Sequence, residues 1–300
     1  MIVSASYRTD IPAFYADWFA RALGAGVCRV ANPYGGPDYE VSLTPEAVDG
    51  FVFWTRNAGP FRGVLAKIAK LGTPFVVQYT VTGYPRALET SVTAPDQAIA
   101  LIRELADIYG PRAVVWRYDP ILLTSLTPAG WHRESFARLA RALSGVVDEV
   151  VLSFAQIYAK TQTNVGRAAR RHGFTWEDPA EAEKRTRLAE LAAIAADLGL
   201  KPVLCAQPEL LTAPLRAARC IDAGRLSDIA GKAIPVHTKG NRPGCYCAES
   251  RDIGAYDTCP HGCVYCYAVR SAELAKRNYR AHDPGSAILG RAGATAQVSG

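Results

Sequence analysis

"AVVWRYDP", residues 113–120, decides how the fold is read. Its β-branched and aromatic residues are apolar at consecutive positions, not alternate ones, and the run stops at a charged turn with proline. A strand of that composition is buried on both faces, as in a parallel sheet covered on each side. The same pattern recurs along the chain. It appears in "IVSAS" (2–6), "VCRVAN" (27–32), "GFVFWT" (50–55), "FVVQYTV" (75–81), "EVVLSFA" (149–155) and "KPVLCA" (201–206). Helix-like segments alternate with these runs at 12–24, 60–71, 95–109, 131–143, 180–198 and 214–230. "LGTP" (71–74) and "LGLKP" (198–202) stop two of them with glycine and proline. Alternating β and α elements predict βαβ units. With seven such strands and an eighth near 234–238, the expected fold is α/β: a complete or near-complete (β/α) TIM-like barrel. An open doubly wound sheet is the alternative. No G-x-G-x-x-G follows the first strand, which argues against a dinucleotide-binding version. The expected organisation is a barrel over 1–238, a Cys-rich segment packed on its rim over 239–283, and a small-residue tail over 284–300.

Of the 300 residues, 49% are hydrophobic and 21% charged, enough for a large core. The formal charge of +6 is too small to identify a nucleic-acid binder, although it permits one. The single dense basic run is "RAARRH" (167–172), read as a solvated helix face or a phosphate contact. The N-terminus lacks the basic and apolar regions of a signal peptide, and no stretch approaches 18 uninterrupted apolar residues. The expected setting is cytoplasmic, with no membrane partner. There, clustered cysteines bind metal or do redox chemistry more often than they form disulfides.

In a parallel barrel, chemistry gathers at the carboxyl ends of the strands. This chain repeatedly places polar residues there. Arg8 and Asp10 follow the first run, Arg56 and Asn57 the third, and Arg117 and Asp119 the fifth. Gln78 lies in the fourth, Ser153 in the sixth, and Gln156 just beyond it. A turn aspartate or a helix cap explains some of them. Their recurrence at one end predicts a polar pocket with three arginines, suited to a carboxylate- or phosphate-bearing small molecule or nucleotide-like ligand.

Five of the eight cysteines lie within 245–266. "CPHGCVYCYA" (259–268) sets Cys259, Cys263 and Cys266 at C-x3-C-x2-C spacing, with Cys245 and Cys247 upstream. Soft thiolates at such spacing select zinc or an iron–sulfur cluster. A triplet on one loop suits a cubane with one open iron, whereas structural zinc takes a closed set of four. Cys205 and Cys220, joined by Cys245 and Cys247, are candidate ligands of a second cluster; the alternative is that Cys205 and Cys220 are small buried apolar residues. Cys28 reads as core. His261 is placed at the cluster or on the loop surface.

The triplet, with Tyr265 before its last cysteine, resembles the signature of the radical S-adenosylmethionine enzymes. That resemblance implies a 4Fe–4S cluster on Cys259, Cys263 and Cys266, with S-adenosylmethionine on the open iron. It also implies one-electron cleavage to a 5′-deoxyadenosyl radical and an external electron donor such as flavodoxin or ferredoxin. Tyr265 and Tyr267 would pack at the cluster edge. Arg8, Asp10, Arg56, Asn57, Arg117 and Asp119 would serve substrate or cofactor, with Gln78, Ser153 and Gln156 as further cofactor contacts. One departure is large: the superfamily's triplet follows the first strand, and here it follows the last. In a closed barrel the last strand adjoins the first, so the loop would reach the same rim. More broadly, "SASYRTDIPAFY", "FVFWTRN", "VVWRYDPILLT", the cysteine region and "HDPGSAIL" resemble an uncharacterised bacterial and archaeal family, a domain of unknown function with a C-terminal cysteine cluster. Two rival readings remain. One is a 4Fe–4S enzyme using its open iron as a Lewis acid or sulfur-binding site. The other is a zinc-stapled barrel that binds nucleic acid or protein.

Overall fold

The computed structural model describes residues 1–290 apart from Tyr34 and Val236. Its strands are β1 (Ile2–Ser4), β2 (Val27–Val30), β3 (Tyr39–Ser42), β4 (Gly50–Thr55), β5 (Phe75–Thr80), β6 (Val114–Ile121), β7 (Leu123–Thr124), β8 (Glu149–Phe154), β9 (Trp176–Glu177), β10 (Lys201–Leu204), β11 (Arg216–Ala217) and β12 (Ser250–Asp252). Eight of them form one sheet in the order β11-β10-β8-β6-β5-β4-β1-β12. Every pairing within it is parallel.

The helices are α1 (Ile11–Phe14), α2 (Ala16–Ala25), α3 (Arg62–Lys70), α4 (Pro95–Tyr109), α5 (Ala129–Leu143), α6 (Ala159–His172), α7 (Glu181–Asp197), α8 (Ala223–Ala230) and α9 (Ala272–Ala281). α4 shows how the sequence sets such boundaries. Pro95 fixes the first turn, and Gly110 takes φ 88° just past the end.

Successive side chains of the β-branched runs point to opposite faces, so each strand feeds two cores. Val3, Phe51, Phe53, Val77, Trp116 and Leu152 pack with α2, α3, α4, α5 and α7 in the larger core. Phe19, Phe51, Phe53 and Phe61 meet there at ring centroids of 5.0–5.7 Å. On the opposite face Ile2, Val52, Val76, Val115, Val151 and Val203 pack with Leu226 of α8 and with Cys220 and Cys247. The uniformly apolar strands of the main sheet are thus covered on both sides.

The closed barrel is not formed. Among the described residues no ladder joins β11 to β12, and the sheet stays open between these edges. The edge strands span only two and three residues, and each is paired on one side only. The fold is an open, Rossmann-like α/β sheet, covered on both faces. Other expectations also shift. "VCRVAN" leaves the main sheet, because β2 pairs antiparallel with β3. Of 214–230 only the second half is helical. The eighth strand is β12 and not 234–238, so part of the Cys-rich segment belongs to the sheet itself. The expected tail beyond residue 290 lies outside the described residues.

The adjacency that the barrel argument required is nevertheless present. β12 pairs with β1, setting Ile2 beside Ser250 and Ser4 beside Asp252. Asp252 locks this register. Its carboxylate accepts from Ser4 Oγ at 2.7 Å, Ser6 Oγ at 2.7 Å, the Tyr7 amide at 3.1 Å and Gly254 N at 2.9 Å. It also pairs with Arg8 Nε at 2.8 Å, and both side chains are buried. Removing one partner strands the other charge in the interior, at about 3–5 kcal/mol. Asp252→Ala should therefore unfold at clearly lower urea than the parent, with a loss in that range, and Asp252→Asn should lose less. An unchanged midpoint for Asp252→Ala would remove this clamp from the account.

Candidate functional site

The polar residues expected at the strand ends separate into three buried networks. The first is the Asp252 clamp, which takes up Arg8: its second contact, from Nη2, is to the Asp252 carbonyl at 2.9 Å. Burial disfavours the guanidinium charge, but Asp252 outweighs it and the Arg8 pKa is raised.

The second network holds the cysteine triplet loop. Asp10 caps α1 by accepting from Ala13 N at 2.9 Å. Its other oxygen accepts from Arg56 N at 2.8 Å and lies 2.7 Å from His261 Nε2. Arg56 reaches Glu89 Oε1 at 2.8 Å and Tyr265 OH at 2.5 Å. Tyr265 OH and Thr82 Oγ1 also donate to that Glu89 oxygen. The loop is further held by backbone bonds, Ser91 N to His261 O at 2.9 Å and Val264 N to Leu88 O at 3.0 Å. Asn57 makes a local turn instead, its Oδ1 accepting from Gly59 N at 3.0 Å. Tyr267 is 41% exposed and donates to the Tyr7 carbonyl at 2.6 Å.

The third network is centred on Arg117. It donates to Gln78 Oε1 at 3.0 Å and Cys220 Sγ at 3.0 Å, and it pairs with Asp119. Gln78 donates in turn to the Cys220 carbonyl at 2.9 Å, and Ser153 donates to Asp119. Burial opposes the Asp119 charge, but Arg117 and Ser153 hold its carboxyl below the usual range. Gln156 accepts from Arg242 Nη1 at 2.9 Å, and Arg242 Nη2 stands 3.7 Å from Cys205 Sγ. Each of Arg8, Arg56 and Arg117 is therefore committed to an internal carboxylate, and their first role is to position neighbouring segments. Reading the sequence missed Glu89, Asp252 and Arg242. Asp252 lies inside the "RDIGAYD" stretch, and Arg242 lies three residues before Cys245. Glu89 had no local signal.

All eight cysteines are free. Cys28 is core, 1% exposed. Cys259, Cys263 and Cys266 line one cavity of about 120 Å³ together with His261, Arg167 and Arg171. The basic run "RAARRH" thus closes α6 beside the triplet. Burial is the first cause pushing all three thiols up, Cys263 to about 12. Among the described residues, no three His, Cys, Asp or Glu side chains surround a point as the ligands of one metal ion would. The other four cysteines also come together. Cys205 and Cys220 sulfurs are 3.5 Å apart, Cys220 bonds to Cys247, and Cys247 bonds to Cys245.

The fold and these networks define an open parallel α/β protein with a cysteine-rich segment returned onto its first strand. The chain belongs to the family described as Domain of unknown function (DUF1848), which matches residues 2–268. No curated protein matches it. Membership assigns no reaction or cofactor. No helix among the described residues is long and apolar enough to cross a membrane.

Cys245 differs from the other thiols of its group. The bond from Cys247 outweighs burial and lowers its pKa to about 6. In reduced, metal-free protein, alkylation of Cys245 should rise with pH through a midpoint near that value. Cys247→Ala should move the midpoint up toward the ordinary thiol value of about 8.5. Peptide mapping by mass spectrometry across a pH series reads both, and a Cys245 that reacts only in alkali refutes the assignment.

Proposed function

We propose that the protein is an iron–sulfur enzyme of radical S-adenosylmethionine type, acting on a small-molecule or nucleotide-like substrate. The observation that carries this reading is the convergence of Cys259, Cys263 and Cys266 on one cavity, on a loop tied by buried hydrogen bonds to Asp10 and Arg56, just past the carboxyl ends of β1 and β4. When bound there, a 4Fe–4S cluster supplies the one-electron reductive cleavage of S-adenosylmethionine. The three thiols, as thiolates, are its ligands.

The chain's other residues prepare that site. Asp10 and His261 fix one side of the loop to the start of α1. Arg56, Glu89 and Tyr265 fix the other side, with Tyr265 packed against Tyr84 at 5.9 Å between ring centroids. Such buried charge-assisted bonds hold a loop more firmly than neutral ones do. Arg167 and Arg171 give the cavity a positive wall, favourable to an anionic substrate group or to an acidic electron donor such as flavodoxin or ferredoxin.

Anaerobic reconstitution with iron and sulfide should give a brown protein that forms 5′-deoxyadenosine from S-adenosylmethionine under dithionite. Cys259→Ala, Cys263→Ala and Cys266→Ala together should abolish that product and the iron bound at the triplet. Arg56→Ala should lower retained iron several-fold by loosening the loop. Reconstituted iron with no 5′-deoxyadenosine would leave a non-radical cluster enzyme. No iron at all would sink the cluster reading.

A further inference from the structure

The open seam of the sheet coincides with the second group of cysteines. Cys205 directly follows β10, and Cys220 lies just past β11, one edge of the sheet. Cys245 and Cys247 lie just before β12, the other edge. No ladder joins these edges, yet the segments that flank them run together. Ala248 N donates to the Ile221 carbonyl at 2.9 Å, and Ile221 N donates to Cys247 Sγ at 3.3 Å. Four thiols from three segments meet where the backbone provides least connection, and all four are free.

We propose that Cys205, Cys220, Cys245 and Cys247 bind a single tetrahedral zinc ion that staples the two edges of the sheet, separate from the site on Cys259, Cys263 and Cys266. Four thiolates make a closed set, the ligand composition of structural zinc. With Zn–S bonds of about 2.3 Å, the edge of such a tetrahedron is about 3.8 Å. The Cys205–Cys220 separation of 3.5 Å is near that edge. The thiols stand in series and do not yet surround one point. The two central ones, Cys220 and Cys247, are buried, and the two end ones, Cys205 and Cys245, are only half-buried. Rotation of the end side chains between staggered rotamers closes the set while the buried pair stays in place.

The surrounding charge fits the ion. Zinc with four thiolates is a dianion, and a buried anion needs fixed positive partners. Arg117 Nη1 stands 3.0 Å from Cys220 Sγ, and Arg242 Nη2 stands 3.7 Å from Cys205 Sγ. Guanidinium N–H groups directed at thiolate sulfur are the outer-shell support that metal-bound thiolates take. Gln78 adds a bond to the Cys220 carbonyl at 2.9 Å.

The test uses the full chain, purified with and without the triplet, so that it does not depend on iron chemistry there. In the Cys259→Ser, Cys263→Ser, Cys266→Ser variant, metal analysis should still find stoichiometric zinc. Cobalt exchange should give the visible bands of a tetrahedral tetrathiolate ion. Adding Cys205→Ser and Cys245→Ser, the two half-buried ends, should reduce zinc at least tenfold and remove those bands while circular dichroism stays folded. A strong chelator should lower the melting temperature of the triplet variant but not that of the variant lacking all five thiols. Four outcomes overturn the proposal. These are a triplet variant without zinc, zinc retained after the end substitutions, an iron–sulfur spectrum from the triplet variant, and a Cys205–Cys220 disulfide in freshly purified protein.

Discussion

The register between the first strand and the last depends on one carboxylate. Asp252 belongs to β12, yet most of its partners lie in residues 4–8. Ser4, Ser6, the Tyr7 amide and Arg8 turn toward it and form a buried, fully bonded anion site. A three-residue strand has little ladder of its own to hold it. The buried ion pair supplies what the backbone lacks, and it fixes the register that places the cysteine loop above β1. Without that register Asp10 would not meet His261, and Arg56 would not meet Tyr265.

The constraint also explains why an open sheet still gathers a site. The crossovers from β1 through β11 carry each new strand further from the first, as in a wound parallel sheet. The chain then returns, and β12 attaches to the free side of β1. The polar ends of β1, β4 and β5 become neighbours of the C-terminal segment without any closing ladder. The arginines expected to face a ligand are used to make this return possible. Arg8 holds β12 and Arg56 holds the triplet loop. Arg117 holds the end of β6 against the Cys220 segment.

How much of this the sequence could reveal follows from what each residue is asked to do. β4, β5, β6, β8 and β10 were legible because burial on both faces demands continuous apolar runs. "VCRVAN" has the same composition but pairs with Tyr39–Ser42, since hydrophobicity does not specify which edge a strand joins. α6 and α9 are amphipathic but polar on average, with few buried residues each, so no apolar run marks them in the sequence. The triplet stood out by its spacing, and its three cysteines line one cavity because they share one loop. Glu89, Asp252 and Arg242 did not stand out. A single charged residue in a loop reads as solvated surface until a partner many residues away buries it.

The two cysteine groups differ in what surrounds them, and that difference is physical. The triplet is buried beside Asp10 and Glu89, and burial first, then those carboxylates, push the Cys259 and Cys263 thiols up. Arg56, Lys160 and hydrogen bonds from Tyr265 and the loop backbone oppose this. The second group sits beside Arg117, which opposes the rise, but the thiol–thiol bonds and burial still hold the Cys205 and Cys220 thiols above the ordinary range. Apart from Cys245, the thiols of both groups share one consequence: a metal that binds at either group must displace protons. What differs is the fixed charge around them, for Arg117 and Arg242 both reach sulfur at the seam, at 3.0 Å and 3.7 Å. A metal–thiolate anion formed there would meet guanidinium N–H groups already in place.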